Sequence, residues 1–530
     1  MFPIRHITAV VATLVLFGGV CAAQSGPVAD PGFVFVDVNG DGLYSPTVDI
    51  GLASNPSVDV NALILSDGVF DTQKAKTAGG STYKPPKKPA GLVIPASQSL
   101  VLTLPLHLRA GGDLIVHGSL QAPVIVLEAG STRKHSDDDR FHGSHGESVA
   151  RASQRSGTSV LCDGGSARGT IDLTGSTCWF DVSMTALARK DIVLNGMSAT
   201  GTDLFWIGTL PPVTTFTAAA GRSIIGEIWG PAAVGPAVAV GEGIVLQAGK
   251  ALSASSASFY VYDTAGSIKG ASHDHMALKD QTSFISGGSI LLKAEDEDLE
   301  ASNASFQASD VSITAEDEMA LSGCSVQATG TVSLASDEEL DLSRNAPSSI
   351  QAGSIAIEGE EVHARGASLF ATSGPIAIGA DDDGADISGA SIFAPFGLSI
   401  LAEEGVDFSS ALIQAGTYVK VASAEEDECG EDDEGGVVAD NSQIWPVAGA
   451  DPSTFISVTA SGPVHADHCN WNAPASIGIQ SLQSNVTARY SAFNAATIGL
   501  FAGGLAIDVT GTSFGGSVSY GPAGVVVTGP

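Results

Sequence analysis

Between Leu292 and Glu428 one pattern recurs seven times: an aliphatic anchor followed three or four residues later by acids. The anchors are Leu292, Ile313, Leu334, Ile357, Ile378, Ile400 and Val421, spaced 21, 21, 23, 21, 22 and 21 residues apart. Position +4 is acidic in all seven: Asp296, Asp317, Glu338, Glu361, Asp382, Glu404 and Glu425. Position +3 is acidic in six: Glu295, Glu316, Asp337, Glu360, Asp381 and Glu403. A fixed period of this length with alternating apolar residues is what stacked β-coils produce. The spacing predicts an all-β fold, a single-chain parallel β-helix (β-solenoid) with coils of ~21 residues.

Alternation assigns the faces. Ile290, Leu292 and Ala294 point inward, leaving Ser289, Lys293 and Glu295 outward. A second motif falls between the anchors, as SNASFQA ending at Ala308, GCSVQA at Ala328, PSSIQA at Ala352, GASLFA at Ala371, GASIFA at Ala394 and SALIQA at Ala415. Each coil therefore holds at least two short strands, with room for a third between them. Earlier segments keep the period without the acids: Leu173 and Leu194 lie 21 residues apart, and GIVLQAG and GSIKGA restore register from Gly243. The acids are regional, not a by-product of the coil. The solenoid is expected over 91–530, with insertions near 131–169 and 425–436. The 63 glycines and the low aromatic content (6%) suit a narrow core of small and β-branched side chains.

The phrases SGPIAIGA, GTVSLAS and GSIAIEG, alternating with ASLFAT and SIQAG, resemble the repeats of filamentous-haemagglutinin-type secreted proteins over roughly residues 243 to 420. The resemblance implies a right-handed parallel β-helix and a role in adhesion or surface display. No segment matches that family's N-terminal secretion domain.

With 24 basic and 58 acidic residues, the formal charge is −34. Such a field repels nucleic acid and anionic membranes and attracts cations or basic partners. Carboxylates on neighbouring rungs, about 4.8 Å apart, repel by roughly 0.9 kcal/mol in water. The acids at +3 and +4 thus form a candidate cation ladder, since Ca²⁺ takes several oxygen ligands. The alternative is that they only keep the solenoid soluble. Paired carboxylates also serve glycoside hydrolysis, but an active site is singular, whereas this pair repeats.

Near the N-terminus, FVFVDVNGDGLYSPTVDIGL contains Asp37, Asn39, Asp41 and Gly42 in the order of the first half of an EF-hand-type calcium loop. The Leu43 carbonyl would be the next ligand. Val48 stands at the twelfth position and Asp49 at the thirteenth, so this resembles the offset loops of EF-hand-like and dockerin-like modules. A bare hairpin turn accounts for the same string. Residues 24–56 are thus an EF-hand-like loop segment, and 57–90, with YKPPKKP at its end, a Pro-rich linker or cap.

Residues 1–23 are expected to be a signal peptide: Arg5 and His6, an apolar run from Ile7 to Val20, and cleavage after Ala23. No later run resembles a membrane helix. Cys162 and Cys178 are candidates for pairing, and Cys324 replaces the Ala or Ser of other coils. Two further groups, His135/Asp137/Asp138/Asp139/His142/His145 and His465/Asp467/His468/Cys469, have metal-capable side chains but no recognised site spacing. The expectation is a secreted or surface, non-catalytic structural or adhesin-like solenoid that binds divalent cations, calcium foremost. Its partners would be those cations, cell-surface glycans, matrix proteins or its own copies. The alternatives are a polysaccharide-active β-helix enzyme such as a lyase, and a cation-bridged coat or matrix component.

Overall fold

The inward–outward alternation is realised in three parallel sheets, each receiving one strand from every coil. The computed structural model describes residues 28–52, 58–130, 169–201, 214–227, 235–424, 435–504, 506–522 and 526–528. These form a nearly all-β parallel solenoid of about 16 turns. One coil runs Ser289–Ala294, Leu299–Ser302 and Ser305–Ala308, and the sheets are called first, second and third in that order. Each strand pairs with its counterpart one coil on: Ile290 with Val311, Leu299 with Met319, Phe306 with Val326.

The register follows the sequence period. All seven anchors lie on the first sheet and oppose one another directly: Leu292 to Ile313, Leu334, Ile357, Ile378, Ile400 and Val421. A one-residue slip would turn every one of these outward, and burying each is worth about 1.5–3 kcal/mol. The inward residues form one continuous core from Val34 to Val509. Within it aromatic rings stack from rung to rung, as Phe259, Phe284 and Phe306 do at 5.0 and 5.7 Å.

Chemistry at one corner recurs along the rod. Between the second and third sheets the backbone turns through a left-handed residue: Asn303, Gly323, Gly366, Gly389, Ser410, Asn441, His468, Tyr490 and Gly511 all have φ between 52° and 71°. Glycine and asparagine adopt that region most readily. The next residue is small and buried, as with Ala304, Cys324, Ala367, Ala390, Ala411 and Cys469. Cys324 thus occupies a core corner, its Sγ 3.4 Å from the Ala301 carbonyl.

The described residues before the first coil form defined elements. Phe35–Asp37 pairs antiparallel with Gly91–Ile94. A short helix, Val60–Leu65, is N-capped by Asp59 and buries Val60, Leu63 and Ile64. A hairpin of Lys76–Ala78 and Ser81–Tyr83 follows, and the Tyr83 hydroxyl donates to the Thr72 carbonyl at 2.7 Å. Val69–Asp71 adds to the first strand of the first sheet, Leu106–Ala110, covering the edge that would otherwise be open.

Candidate functional site

The acidic residues fall at the corner between the first and second sheets, just beyond the last inward residue of each anchor strand. Glu316, Asp337, Glu360 and Asp381 are exposed there, and Glu295 and Glu403 are half-buried. At +4, Asp296, Glu338, Asp382 and Glu404 are exposed, Asp317 and Glu361 half-buried. Glu425, with most of the acidic insertion, lies outside the described residues.

The sequence pattern suggests two straight columns, and the structure corrects this. The corner holds four residues between Ala294 and Leu299, three between Ala315 and Met319, two between Gly359 and Val362, and four between Ala380 and Ala385. Turns of unequal length cannot superimpose +3 on +3 and +4 on +4. Backbone hydrogen bonds step instead from the Glu360 N–H to the Glu338 carbonyl, from Asp383 to Glu360, and from Glu404 to Asp383. Similarly, Glu361 pairs in register with Glu339 rather than with Glu338.

Several acids of this corner have basic partners. His273 reaches Asp296 at 3.1 Å, Arg344 reaches Glu318 at 3.0 Å, and His363 reaches Glu361 at 3.1 Å and Glu339 at 3.9 Å. His273 sits one coil before Asp296, outside the acidic motifs, so only the stacking reveals it, whereas His363 lies two residues from Glu361 on the same strand and stacking adds only its reach to Glu339. The middle of the corner lacks such relief. Partial desolvation, then the negative Asp382, Glu338, Asp383 and Asp337, hold the Glu360 carboxyl above its ordinary range.

In the N-terminal loop, Asp37 and Asp49 are buried. Asp37 accepts the Gly40 and Gly42 N–H groups at 2.6 and 2.8 Å. Asp49 accepts those of Val38 and Ser45 at 2.9 and 2.7 Å. Asp41 accepts from the Leu43 N–H and from the Asn39 amide at 2.8 and 2.7 Å. The loop thus folds around its own carboxylates. Burial, and beyond it the charges of Asp37 and Asp41, push the Asp49 carboxyl upward against the hydrogen bonds from Val38 and Ser45. Among the described residues no three His, Cys, Asp or Glu side chains converge in a metal-holding arrangement.

The other candidates separate. His465 Nδ1 lies 2.7 Å from the Thr487 hydroxyl, His468 stacks on Tyr490, and Arg489 clasps Asp467 through both Nε and Nη2. Cys469 is buried, with its Sγ 2.9 Å from the Ala439 carbonyl. These side chains thus diverge because the strand ends at His465 and the chain turns through the left-handed His468. Cys178 is a buried thiol. Its suggested partner Cys162, the His135–His145 group and residues 1–23 lie outside the described residues.

An open cleft of about 310 Å³ on the second-sheet side is lined by Asp341, Ser343, Arg344, His363 and Arg365. Its arginines are already paired, Arg365 with Asp386 and Arg344 with Glu318.

Sequence reasoning passed over the third sheet. Its outward residues form two in-register columns, one mostly serine and the other of amide and aromatic side chains. The signal lay in the S-F-Q-A, S-V-Q-A and S-L-F-A motifs, whose first and third residues point outward.

Fold and surface define a parallel β-solenoid repeat protein. No protein family, curated protein or solved structure matches the chain at a significant level. Among the described residues no helix is long and apolar enough to cross a membrane.

Proposed function

We propose that the chain is a non-catalytic, secreted or surface-displayed scaffold of the haemagglutinin-repeat kind, adhesin-like in role, taking up divalent cations, calcium first. The observation that carries this reading is repetition: outward side chains of one type recur in register on successive coils. A surface of that design suits an extended or multivalent partner better than a single small substrate, for which one converging constellation suffices.

Calcium uptake is assigned first to the loop of Asp37, Asn39, Asp41, the Leu43 carbonyl and Asp49. What supports this is two buried carboxylates with Asp41 nearby and Asp49 already raised, a concentration of charge that a cation drawing them together would relieve. The middle of the acidic corner, around Glu360, is the second place where cations gather.

Calorimetric titration of calcium into the chelator-treated full chain, with thermal melts in calcium and in chelator, tests the cation part. Heat of binding and a raised melting temperature are expected, and D37N/D41N should abolish the loop's share. No heat and no shift would refute it. The location is tested by fractionating producing cells: recovery only in the cytoplasm would refute export.

A further inference from the structure

The outer face of the third sheet differs chemically from the rest of the rod. One column runs Ser258, Ser283, Ser305, Ser325, Ser349, Ser368 and Ser391, each opposite the next. Beside it runs a column of Tyr260, Ile285, Gln307, Gln327, Gln351, Phe370, Phe393, Gln414 and Trp445, also in register. Asn472 and Asn494 continue that line, the Asn494 amide donating to Asn472 at 3.4 Å. From Tyr260 to Asn494 the track spans eleven rungs, ten steps of about 4.8 Å or roughly 48 Å.

Two properties set this face apart. Aromatic rings that a core would bury stand in solvent: Phe370 is 39% and Trp445 37% exposed. Phe370 lies flat against Phe393, centroids 4.5 Å apart and planes 8° from parallel. Moreover, the amides of Gln307, Gln327, Gln351 and Gln414 make no hydrogen bond within the described residues, so their donors and acceptors face outward.

Charge selects the occupant. Neither column holds an ionisable acid or base other than the Tyr260 phenol, in a chain of net charge −34. A polyanion, whether nucleic acid or polyuronate, gains no cation here and is repelled by the whole molecule. A lipid surface would favour a continuous apolar patch, which the amide rungs interrupt. A ligand with apolar C–H faces, hydroxyl edges, no charge and its own linear repeat fits: ring faces on the aromatics, hydroxyls on the amides and serines.

We propose that the third-sheet face is a docking track for an extended neutral polysaccharide, Phe370, Phe393 and Trp445 forming its apolar platform and the flanking Gln and Ser rungs its hydrogen-bonding rail. This rests on the scaffold reading above and supplies its ligand class.

The test uses the full chain on insoluble cellulose, chitin and β-1,3-glucan, with calorimetric titration of the matching oligosaccharides. At least one neutral polymer should bind. F370A/W445A should weaken binding about tenfold or more, and Q327A/Q351A severalfold. F501A, at an exposed ring on the first sheet, should leave binding unchanged, and melting temperatures should verify folding. The proposal is overturned by no binding to any of the three, by binding indifferent to F370A/W445A, or by preference for polyuronates. It is overturned equally if sedimentation shows that F370A/W445A abolishes a dimer while glycan binding is absent, since the face would then be a self-contact. Failure here with a retained calcium response removes only the ligand class; loss of the calcium response with glycan binding intact removes only the cation part.

Discussion

Replacing Phe284 by alanine probes the stacked core most directly. The ring is fully buried between Phe259 and Phe306, at 5.0 and 5.7 Å and within 16° and 7° of parallel. Truncating a buried phenylalanine costs about 3–5 kcal/mol through lost transfer energy and the cavity left behind. Each aromatic contact adds about 0.5–1.5 kcal/mol, partly contained in that figure. In a solenoid, stability is a sum of coil terms and nearest-neighbour interfaces, so the loss should concentrate on three coils. Guanidinium unfolding followed by amide hydrogen exchange should show lost protection in Ser258–Val261, Ser283–Ser286 and Ser305–Ala308, with Gln443–Pro446 little changed. Coupling offers a sharper check. F284A and F306A touch the same stack and should be non-additive, whereas F284A and F493A, nine rungs or about 43 Å apart, should add within about 0.5 kcal/mol. A loss below about 1 kcal/mol, or one spread evenly over the rod, would refute the rung-by-rung account.

Three further predictions concern local chemistry. Gly366→Ala, at φ +64°, should destabilise by about 1–2 kcal/mol in thermal or denaturant melts, whereas Gly366→Asn should be tolerated better because Asn303 and Asn441 hold the same corner. The thiols of Cys178, Cys324 and Cys469, pushed by burial up to about 12, 11 and 11, should resist Ellman's reagent until denaturant opens the coils. Glu128 is held below its ordinary value of 4.5 by the hydrogen bond from His107, against burial and with help from Arg109. A lowered folded value means its stabilisation is present above 4.5 and lost as pH falls through the folded value, so E128Q should flatten the acid side of a melting-temperature profile.

Much of this was legible because it is periodic. The anchors from Leu292 to Val421 oppose one another as their spacing requires, and Cys324 fills a small-residue corner. The missed features depend on geometry that period does not encode. Corners of two to four residues shift the acids out of straight columns, so Glu361 meets Glu339. His273 becomes a partner of Asp296, and His363 of Glu339, only once coils are stacked. The left-handed corner was hidden because Gly, Asn, Ser, His and Tyr all occupy it, a backbone requirement that side-chain patterns do not spell out. The third-sheet columns lay in plain view, but a motif read for its inward residue does not report its outward ones.

The corrected corner also relocates the electrostatic strain. Ion pairs relieve the stack at Asp296, Glu318 and Glu361, so repulsion does not accumulate evenly from Leu292 to Val421. It concentrates where Glu360 faces Glu338 and Asp337 on one side and Asp382 and Asp383 on the other. A carboxyl whose folded value is raised opposes folding in its charged form: stability is fullest below the unfolded value and is lost as pH rises through the folded one. Glu360→Gln should therefore raise the melting temperature at neutral pH in low salt, most visibly in chelator. The gain should shrink as salt shortens the screening length, and it should vanish below pH 4, where the wild-type group is already neutral. Glu295→Gln, beside the His273–Asp296 pair, should show a smaller gain. Equal gains at Glu360 and Glu295, or a gain at Glu360 indifferent to salt, would show that the corner is an evenly solvated surface rather than a local concentration of charge.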